Sequence, residues 1–163
     1  MRNLKISTRL MHGRTGSVLV VDDDAFSCGM LCEMLRDLGV AEVRCAGNGH
    51  AALRTLAGLH GAPDLLICDL FMPDMDGIEF LAELGRQKYQ GEVLLISGGD
   101  VEMLALAQVL ALADGIQLLG SFCKPLRQDI LRSLLAPKAS QAGVTVDEIN
   151  AAGNEQNANA PHR

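Results

Sequence analysis

Positions 63 to 77 read PDLLICDLFMPDMDG, and this stretch decides the fold. Its four apolar residues, Leu65 to Cys68, are bounded by a Pro-Asp pair and by Asp69, a pattern typical of a buried parallel strand. The loop that follows is rich in turn formers. An acid at the carboxyl end of such a strand lies in the crevice where open α/β sheets bind their ligands. Asp69 is therefore the first candidate for chemistry.

Similar apolar segments alternate with helical patterns on both sides of this strand. Strands are predicted at 17–21, 41–46, 65–69, 92–97 and 116–123, and helices at 25–38, 50–59, 77–87, 101–113 and 126–135. Strands that alternate with helices of about ten residues indicate βαβ units and a parallel sheet. The predicted fold class is therefore α/β, a doubly wound parallel sheet of five strands with five helices.

Right-handed crossovers place the carboxyl ends of all these strands at one edge of the sheet. Five polar residues end a strand there or directly follow one: Asp22, Asp23, Asp69, Ser97 and Lys124. Two carboxylates about 5 Å apart repel by about 3 kcal/mol at an effective dielectric of about 20, so a cation is needed to hold three together. Carboxylate oxygens suit Mg²⁺.

The same edge holds groups that suit a phosphoryl group in transfer. Lys124 supplies a positive charge and Ser97 a hydroxyl donor. Together with a metal ion, they can hold the oxygens of the phosphoryl group. Asp69 lies in the middle of the edge without an adjacent acid, so it is the best placed to act as a nucleophile and form an aspartyl phosphate. The Lys124-Pro125 pair suits a cis peptide bond that fixes this turn.

Four segments resemble the signatures of response-regulator receiver domains in two-component signalling. They are VLVVDDD at 18–24, DLFMPDMDG at 69–77, ISGG at 96–99 and Lys-Pro at 124–125. The resemblance covers 17–135 and implies a flavodoxin-like, CheY-like fold with strand order 2-1-3-4-5. It also implies that a histidine kinase or phosphotransfer protein phosphorylates Asp69, in a step that the receiver itself catalyses without being a dedicated enzyme.

The resemblance assigns roles to the residues at the sheet edge. Asp23 would ligate Mg²⁺ directly, and Asp22 would help to hold it. The implied metal ligands are Asp22, Asp23, Asp69 and the backbone carbonyl of Phe71. Ser97 and Lys124 would contact the phosphoryl group. Asp24 comes one residue too late for the acidic pair, so we predict that it caps the following helix.

One position departs from the receiver pattern. Receivers commonly carry an aromatic switch residue three positions before the lysine, and Ser121 stands there. Residues 118–125 are similar to receivers attached to EAL-type cyclic-di-GMP phosphodiesterases, although the sequence has no EAL catalytic motif. The resemblance implies that the output surface spans Val101 to Leu135 and binds an output domain, a partner protein or a second copy of the chain.

Composition limits the partners. The formal net charge is −6, with 20 acidic and 14 basic residues, which disfavours nucleic acid and anionic membranes as partners. No apolar run approaches the roughly 18 residues of a transmembrane helix. Only 3% of residues are aromatic, so the core is expected to be aliphatic.

The chain has five cysteines, an odd number spread over predicted helices and strands. This distribution predicts no disulfide framework and favours a reducing, cytoplasmic setting. Cys28 and Cys32 lie one helical turn apart without a further ligand pair, so we predict that they pack in the core. Cys68 and Cys123 precede candidate site residues but face the other side of their strands, where they are expected to be inert.

The two ends of the chain differ from the predicted receiver domain at 17–135. Residues 1–16 carry four basic residues and are predicted to be a flexible basic arm. Residues 136–163 lack an apolar period and are predicted to be a disordered tail or the start of a missing output domain. Thr145 and Glu148 form a capping-box pattern within that tail.

Two other functions are compatible with parts of the sequence. Asp22 and Asp24, with Ser97 and Lys124, are similar to the active-site residues of haloacid-dehalogenase-type aspartyl phosphatases. Those enzymes need a further acidic pair after the lysine, whereas only Asp129 follows before the tail, and the loop at 69–77 would have no role. The other alternative is an interaction module that works without phosphorylation.

Overall fold

The predicted alternation of strands and helices is confirmed over residues 16–136, which are the residues that the computed structural model describes. The strands are β1 (Ser17–Val21), β2 (Glu42–Ala46), β3 (Leu65–Asp69), β4 (Glu92–Ser97) and β5 (Gln117–Cys123). The helices are α1 (Ala25–Asp37), α2 (Gly49–Ala57), α3 (Gly77–Arg86), α4 (Val101–Ala113) and α5 (Gln128–Leu135). The predicted arm and tail lie outside the described residues, apart from Gly16 and Ala136.

The five strands form one parallel sheet in the order β2-β1-β3-β4-β5, as the resemblance implied. β3 is the central strand, and all five of its residues are buried. Its register places Cys68 opposite Val21 of β1 and Asp69 opposite Ile96 of β4. The carboxyl ends of these strands therefore stop at the same level of the sheet.

Side chains of the central strands alternate between two apolar clusters, one on each face of the sheet. Leu66 and Cys68 join the cluster beneath α2, α3 and α4, while Leu65 and Ile67 join the one beneath α1 and α5. Apart from Phe80 and Phe122, the buried apolar side chains of the described residues are aliphatic or sulfur-containing, as the composition predicted. Burial on both faces explains why these strands are continuous apolar runs rather than alternating ones.

Two helix boundaries differ from the predicted ones by two residues, and the others agree to within one residue. α2 ends at Ala57 because Gly58 is its C-cap, so the helix stops two residues before the predicted end at 59. α5 begins at Gln128 rather than at 126. Leu126 instead packs into the core, and Arg127 has an extended backbone with ψ of 148°. Packing of an apolar side chain thus delays the start of this helix.

The α4 helix is apolar on more than the face that it buries. Leu104, Ala107 and Ala111 pack into the core. Five large apolar residues of α4 are exposed: Val101, Leu106, Val109, Leu110 and Leu112. Within residues 16–136, no helix is long and apolar enough to cross a membrane.

The sequence predicted no disulfide framework, but one pair of cysteines is bonded. Cys32 of α1 and Cys45 of β2 form a disulfide. Because α1 packs against the edge strand β2, residues 13 positions apart in the sequence come together. Spacing along the chain does not show this packing. Cys28 and Cys32 are both buried in one cluster, as predicted, and Cys68 is a buried free thiol.

Candidate functional site

The carboxyl edge of the sheet brings together the acids that the sequence singled out. Asp69 ends β3 and is 4% exposed, and Asp22 follows β1 and is 1% exposed. Asp23 is exposed beside them. Carboxylate oxygens of these three residues lie within 4.8 Å of one another. The predicted convergence of the acidic residues is therefore observed.

Local hydrogen bonds hold the turn between β1 and α1. The Asp22 backbone N–H donates to the carbonyl of Ala46 in β2 (3.1 Å), and Asp22 Oδ1 accepts from the Asp24 N–H (2.9 Å). Asp24 caps α1, because its carboxylate accepts from the Phe26 N–H and from the Ser27 hydroxyl. Asp24 is thus occupied as a helix cap, as predicted.

The loop after Asp69 is held just as closely. The Phe71 N–H donates to Asp69 Oδ1 (3.2 Å), and the Gly77 N–H donates to the Leu70 carbonyl (2.9 Å). A Cβ atom on Gly77 would lie 2.7 Å from the Asp69 carbonyl oxygen, so only glycine fits there without a backbone shift. Asp76 then caps α3 through the Glu79 N–H. These contacts fix the exit of the chain from the site.

Lys124, which follows β5, contacts the acids at the ends of β1 and β3. Its Nζ lies 2.6 Å from Asp22 Oδ2 and 2.9 Å from Asp69 Oδ2. Its backbone N–H donates to the Ser97 carbonyl (2.7 Å), and the Lys124-Pro125 peptide bond is cis, as the sequence suggested. Three carboxylates and one ammonium group leave a net charge of about −2 in this cluster, which a single divalent cation would balance.

Burial raises the pKa of Asp69 above its ordinary value, and the hydrogen bond and charge of Lys124 offset only part of this effect. Desolvation acts to lower the pKa of Lys124. The hydrogen bonds and negative charges of Asp22 and Asp69 outweigh it, so the pKa of Lys124 is raised. The lysine is therefore held in its charged form, while ionisation of Asp69 is less favourable than it would be in water.

Ser97 has the one buried side-chain oxygen without a hydrogen-bond partner among residues 16–136. The residue is completely buried at the end of β4. Leaving a buried hydroxyl unpaired costs about 1–3 kcal/mol, so such a group commonly marks a site for a ligand atom. The orphaned hydroxyl and the all-oxygen acidic cluster together fit a phosphoryl group and a Mg²⁺ ion.

The remaining sequence features have different outcomes. The Phe71 side chain is 47% exposed, and the metal-ligand role of its carbonyl stays a prediction.

Ser121 is buried beside a pocket of about 200 Å³ between α4, β5 and α5, which Leu104, Phe122 and Ile130 also line. The sequence analysis missed this pocket. The only feature of the sequence that indicated the pocket was Ser121, a small residue at a position that is usually aromatic in receivers.

The chain is similar to several known proteins. A family model described as the response regulator receiver domain matches residues 18–136. Protein-glutamate methylesterase/protein-glutamine glutaminase of Halobacterium salinarum is 36% identical over 107 residues, which cover 66% of this chain and 29% of that protein. The probable C4-dicarboxylate response regulator DctR of Bacillus subtilis is 32% identical over 102 residues, covering 59% and 42%. The chain thus spans less than half the length of these relatives.

Solved structures share the fold. A response regulator from Colwellia psychrerythraea superposes with a TM-score of 0.66 at 30% identity, covering 78% of this chain and 99% of that one. The chemotaxis protein CheY4 of Vibrio cholerae gives a TM-score of 0.60 at 25% identity, covering 80% and 100%. Part of this chain therefore covers each of these structures along almost its entire length.

Proposed function

The chain belongs to the response regulator receiver domain family, and from this premise we propose that Asp69 is the phosphoacceptor of a signalling switch. The observation that carries the proposal is the pair of groups around Asp69. Lys124 Nζ lies 2.9 Å from Asp69 Oδ2, and the Ser97 hydroxyl at the end of the neighbouring strand is buried without a partner. Both are donors that a phosphoryl group can use.

In the proposed step, an Asp69 carboxylate oxygen attacks the phosphorus of a phosphohistidine on a histidine kinase or phosphotransfer protein. A P–O bond forms, the P–N bond breaks, and the imidazole leaves with the electron pair of that bond. The Lys124 ammonium and the Ser97 hydroxyl donate to the phosphoryl oxygens as transfer proceeds. The raised pKa of Lys124 keeps its positive charge available for this contact.

The metal site in this proposal consists of Asp22, Asp23, Asp69 and the Phe71 carbonyl, which would hold Mg²⁺. The ion would supply positive charge against the negative charge of the incoming phosphoryl group. Asp22 is positioned for this by its backbone bond to Ala46, and Asp69 by the bond that it accepts from the Phe71 N–H. The protein therefore holds the acids in place before any ligand arrives.

Acetyl phosphate tests the proposal directly. With Mg²⁺, the chain is expected to gain one phosphoryl group that hydroxylamine removes, and with EDTA it is expected to gain none. Borohydride reduction converts an aspartyl phosphate to homoserine, so peptide mapping identifies the modified residue, which should be Asp69. Modification of Asp22 or Asp24 would instead support the phosphatase alternative. Mg²⁺ binding without any adduct would support the interaction module.

The output side of the proposal uses the surface formed by α4, β5 and α5, between Val101 and Leu135. We propose that phosphorylation changes this surface and that an output domain, a partner protein or a second copy of the chain binds there. Exposed apolar side chains on α4 support the proposal, since they include Val109 at 64% and Leu112 at 63% exposure. Apolar exposure of this kind is typical of an interaction surface.

Size-exclusion chromatography with beryllofluoride, which mimics the phosphoryl group, tests whether the partner is a second copy. We expect beryllofluoride and Mg²⁺ to double the apparent mass, because dimerisation through this surface would bury the exposed apolar side chains of α4. Val109→Glu should prevent this change without unfolding the domain, since Val109 is exposed. An unchanged mass would contradict dimerisation and point to a different protein as the partner.

The proposal also concerns the setting of the chain. A kinase that uses ATP works in the cytoplasm, so we place this receiver there as well. Its acidic composition supports a protein partner rather than nucleic acid or an anionic membrane, since the formal net charge is −6. The similarity of residues 118–125 to receivers of EAL-type phosphodiesterases stays a prediction.

A further inference from the structure

Three cysteines meet where α1 packs against the edge strand β2. The sulfur atoms of Cys28, Cys32 and Cys45 lie within 4.8 Å of one another. Cys32 and Cys45 are joined as a disulfide, and Cys28 is a free thiol beside them. The receiver chemistry at the sheet edge uses none of these residues. A disulfide exchanges with a nearby sulfur only when that sulfur is a thiolate and can reach it.

The three sulfurs differ in their access to solvent. Cys28 is 6% and Cys32 is 4% exposed, whereas Cys45 is exposed. Burial raises the pKa of Cys28, and the negative charges of Asp22 and Asp24 raise it further, which keeps Cys28 as a thiol. Because the thiolate is the reactive form and access limits its reaction, a reagent in solution meets Cys45 first.

The cellular compartment bears on the role of this disulfide. Stable disulfides are rare in the cytoplasm, and those that form there are usually transient and catalytic or redox-sensing. The cytoplasmic setting rests on the proposed function. In such a compartment, a bond with one exposed sulfur is open to reduction as well as to formation, since an external thiolate can attack Cys45 Sγ and release Cys32.

We propose that Cys45 is a site of reversible thiol modification and that Cys32 is its resolving partner. The oxidant is a low-molecular-weight disulfide. The Cys45 thiolate attacks one of its sulfur atoms, forms a mixed disulfide and releases the first small thiolate. The Cys32 thiolate then attacks Cys45 Sγ, forms the Cys32–Cys45 bond and releases the second. The two cysteines lose two protons and two electrons, and the oxidant becomes two small thiols.

Oxidised glutathione is the probe for the test, and the full chain is used after reduction and removal of the reductant. Wild-type protein is expected to lose the mass of two hydrogen atoms, and mapping without reduction should find the Cys32–Cys45 peptide pair. Alkylation after denaturation should find Cys28 and Cys68 still reduced. The wild-type map needs no substitution, so it is independent of any effect on folding.

Three variants separate the roles. Cys32→Ser is expected to stop at a stable mixed disulfide on Cys45, with the added mass of one glutathione. Cys45→Ser should remove this modification and slow the reaction of the α1 cysteines by about tenfold or more, because the remaining sulfurs are buried. Cys28→Ser is the matched control and should form the Cys32–Cys45 bond as the wild type does. Circular dichroism checks that each variant is folded.

Several results would overturn the proposal. One is that Cys45 remains unmodified in excess oxidised glutathione. Another is that a disulfide forms between Cys28 and Cys45 instead. Protection of all three thiols by Zn²⁺ in the reduced chain, with no oxidation, would make the cluster a metal site. Asp69→Asn should oxidise like the wild type, so failure of the thiol chemistry is distinguishable from failure of the phosphoacceptor proposal.

Discussion

Asp69→Asn is expected to abolish phosphorylation by acetyl phosphate and, in EDTA, to raise the free energy of unfolding by about 1 kcal/mol. The first effect follows because the amide cannot replace the carboxylate as a nucleophile. The second follows because Asp69 is buried next to Asp22 and Asp23, and Lys124 offsets only part of that burial. A variant that is more stable yet inactive has not lost activity through unfolding.

The pH dependence of that gain has a definite sign. The pKa of Asp69 is raised above its ordinary value of 3.8, so the folded state binds this proton more tightly than the unfolded state does. Stability is therefore lost as the pH rises from the ordinary value through the folded value. The advantage of asparagine should be smallest at acidic pH and largest at neutral pH. Urea unfolding of both proteins in EDTA at two pH values measures it.

Asp74→Asn is the matched control for Asp69→Asn. Asp74 is exposed in the same loop, and its φ of 69° is one that asparagine also adopts readily. This variant should keep full phosphorylation and show little pH-dependent gain. Phosphorylation that survives Asp69→Asn but not Asp22→Asn would contradict the assigned phosphoacceptor. A less stable Asp69→Asn would show that burial does not dominate the energetics of this carboxylate.

Lys124→Ala is expected to lower the free energy of unfolding in EDTA by about 3 kcal/mol, because it leaves two buried carboxylates without their cation. Lys124 Nζ contacts both Asp22 and Asp69. In saturating Mg²⁺ the loss should be smaller, since a bound divalent ion replaces part of the missing charge. In saturating Mg²⁺, phosphorylation by acetyl phosphate should be strongly slowed. Thermal or urea unfolding with and without Mg²⁺ measures the stability effect.

A double-mutant cycle makes the Lys124 prediction sharper. Lys124→Ala should cost less in an Asp69→Asn background, because one of the carboxylates that it leaves unpaired is already neutral. Arg54→Ala, which removes an exposed positive charge on α2, controls for the change in net charge and should have little effect. Equal losses with and without Mg²⁺ would mean that Lys124 acts through packing rather than through charge.

Much of the site was predictable because the edge of a parallel sheet collects residues that are distant in sequence. Asp22, Asp69, Ser97 and Lys124 each end a strand or follow one, and knowing where the strands end was enough to bring them together. The strand order needed the family resemblance. Alternation of strands and helices indicates a doubly wound sheet without specifying which strands are neighbours.

What the sequence could not predict depends on packing between elements. Cys32 and Cys45 meet because α1 lies over β2, and nothing in their spacing reveals which face of the helix points there. The pocket beside Ser121 depends on how α4 and α5 sit against β5. Lys124 lies at the predicted edge, but its contact with two acids at once is a property of side-chain reach. Each of these features is a tertiary contact rather than a local pattern.

The bond from the Asp22 N–H to the Ala46 carbonyl makes the site depend on the least protected strand of the sheet. β2 is an edge strand, and three of its five residues are exposed. Local opening of a structure starts where few buried contacts hold it. When β2 detaches, the Asp22 amide loses its acceptor and becomes open to hydrogen exchange with solvent. Opening of β2 would therefore release one side of the acidic cluster, even though β3, which carries Asp69, is buried along its whole length.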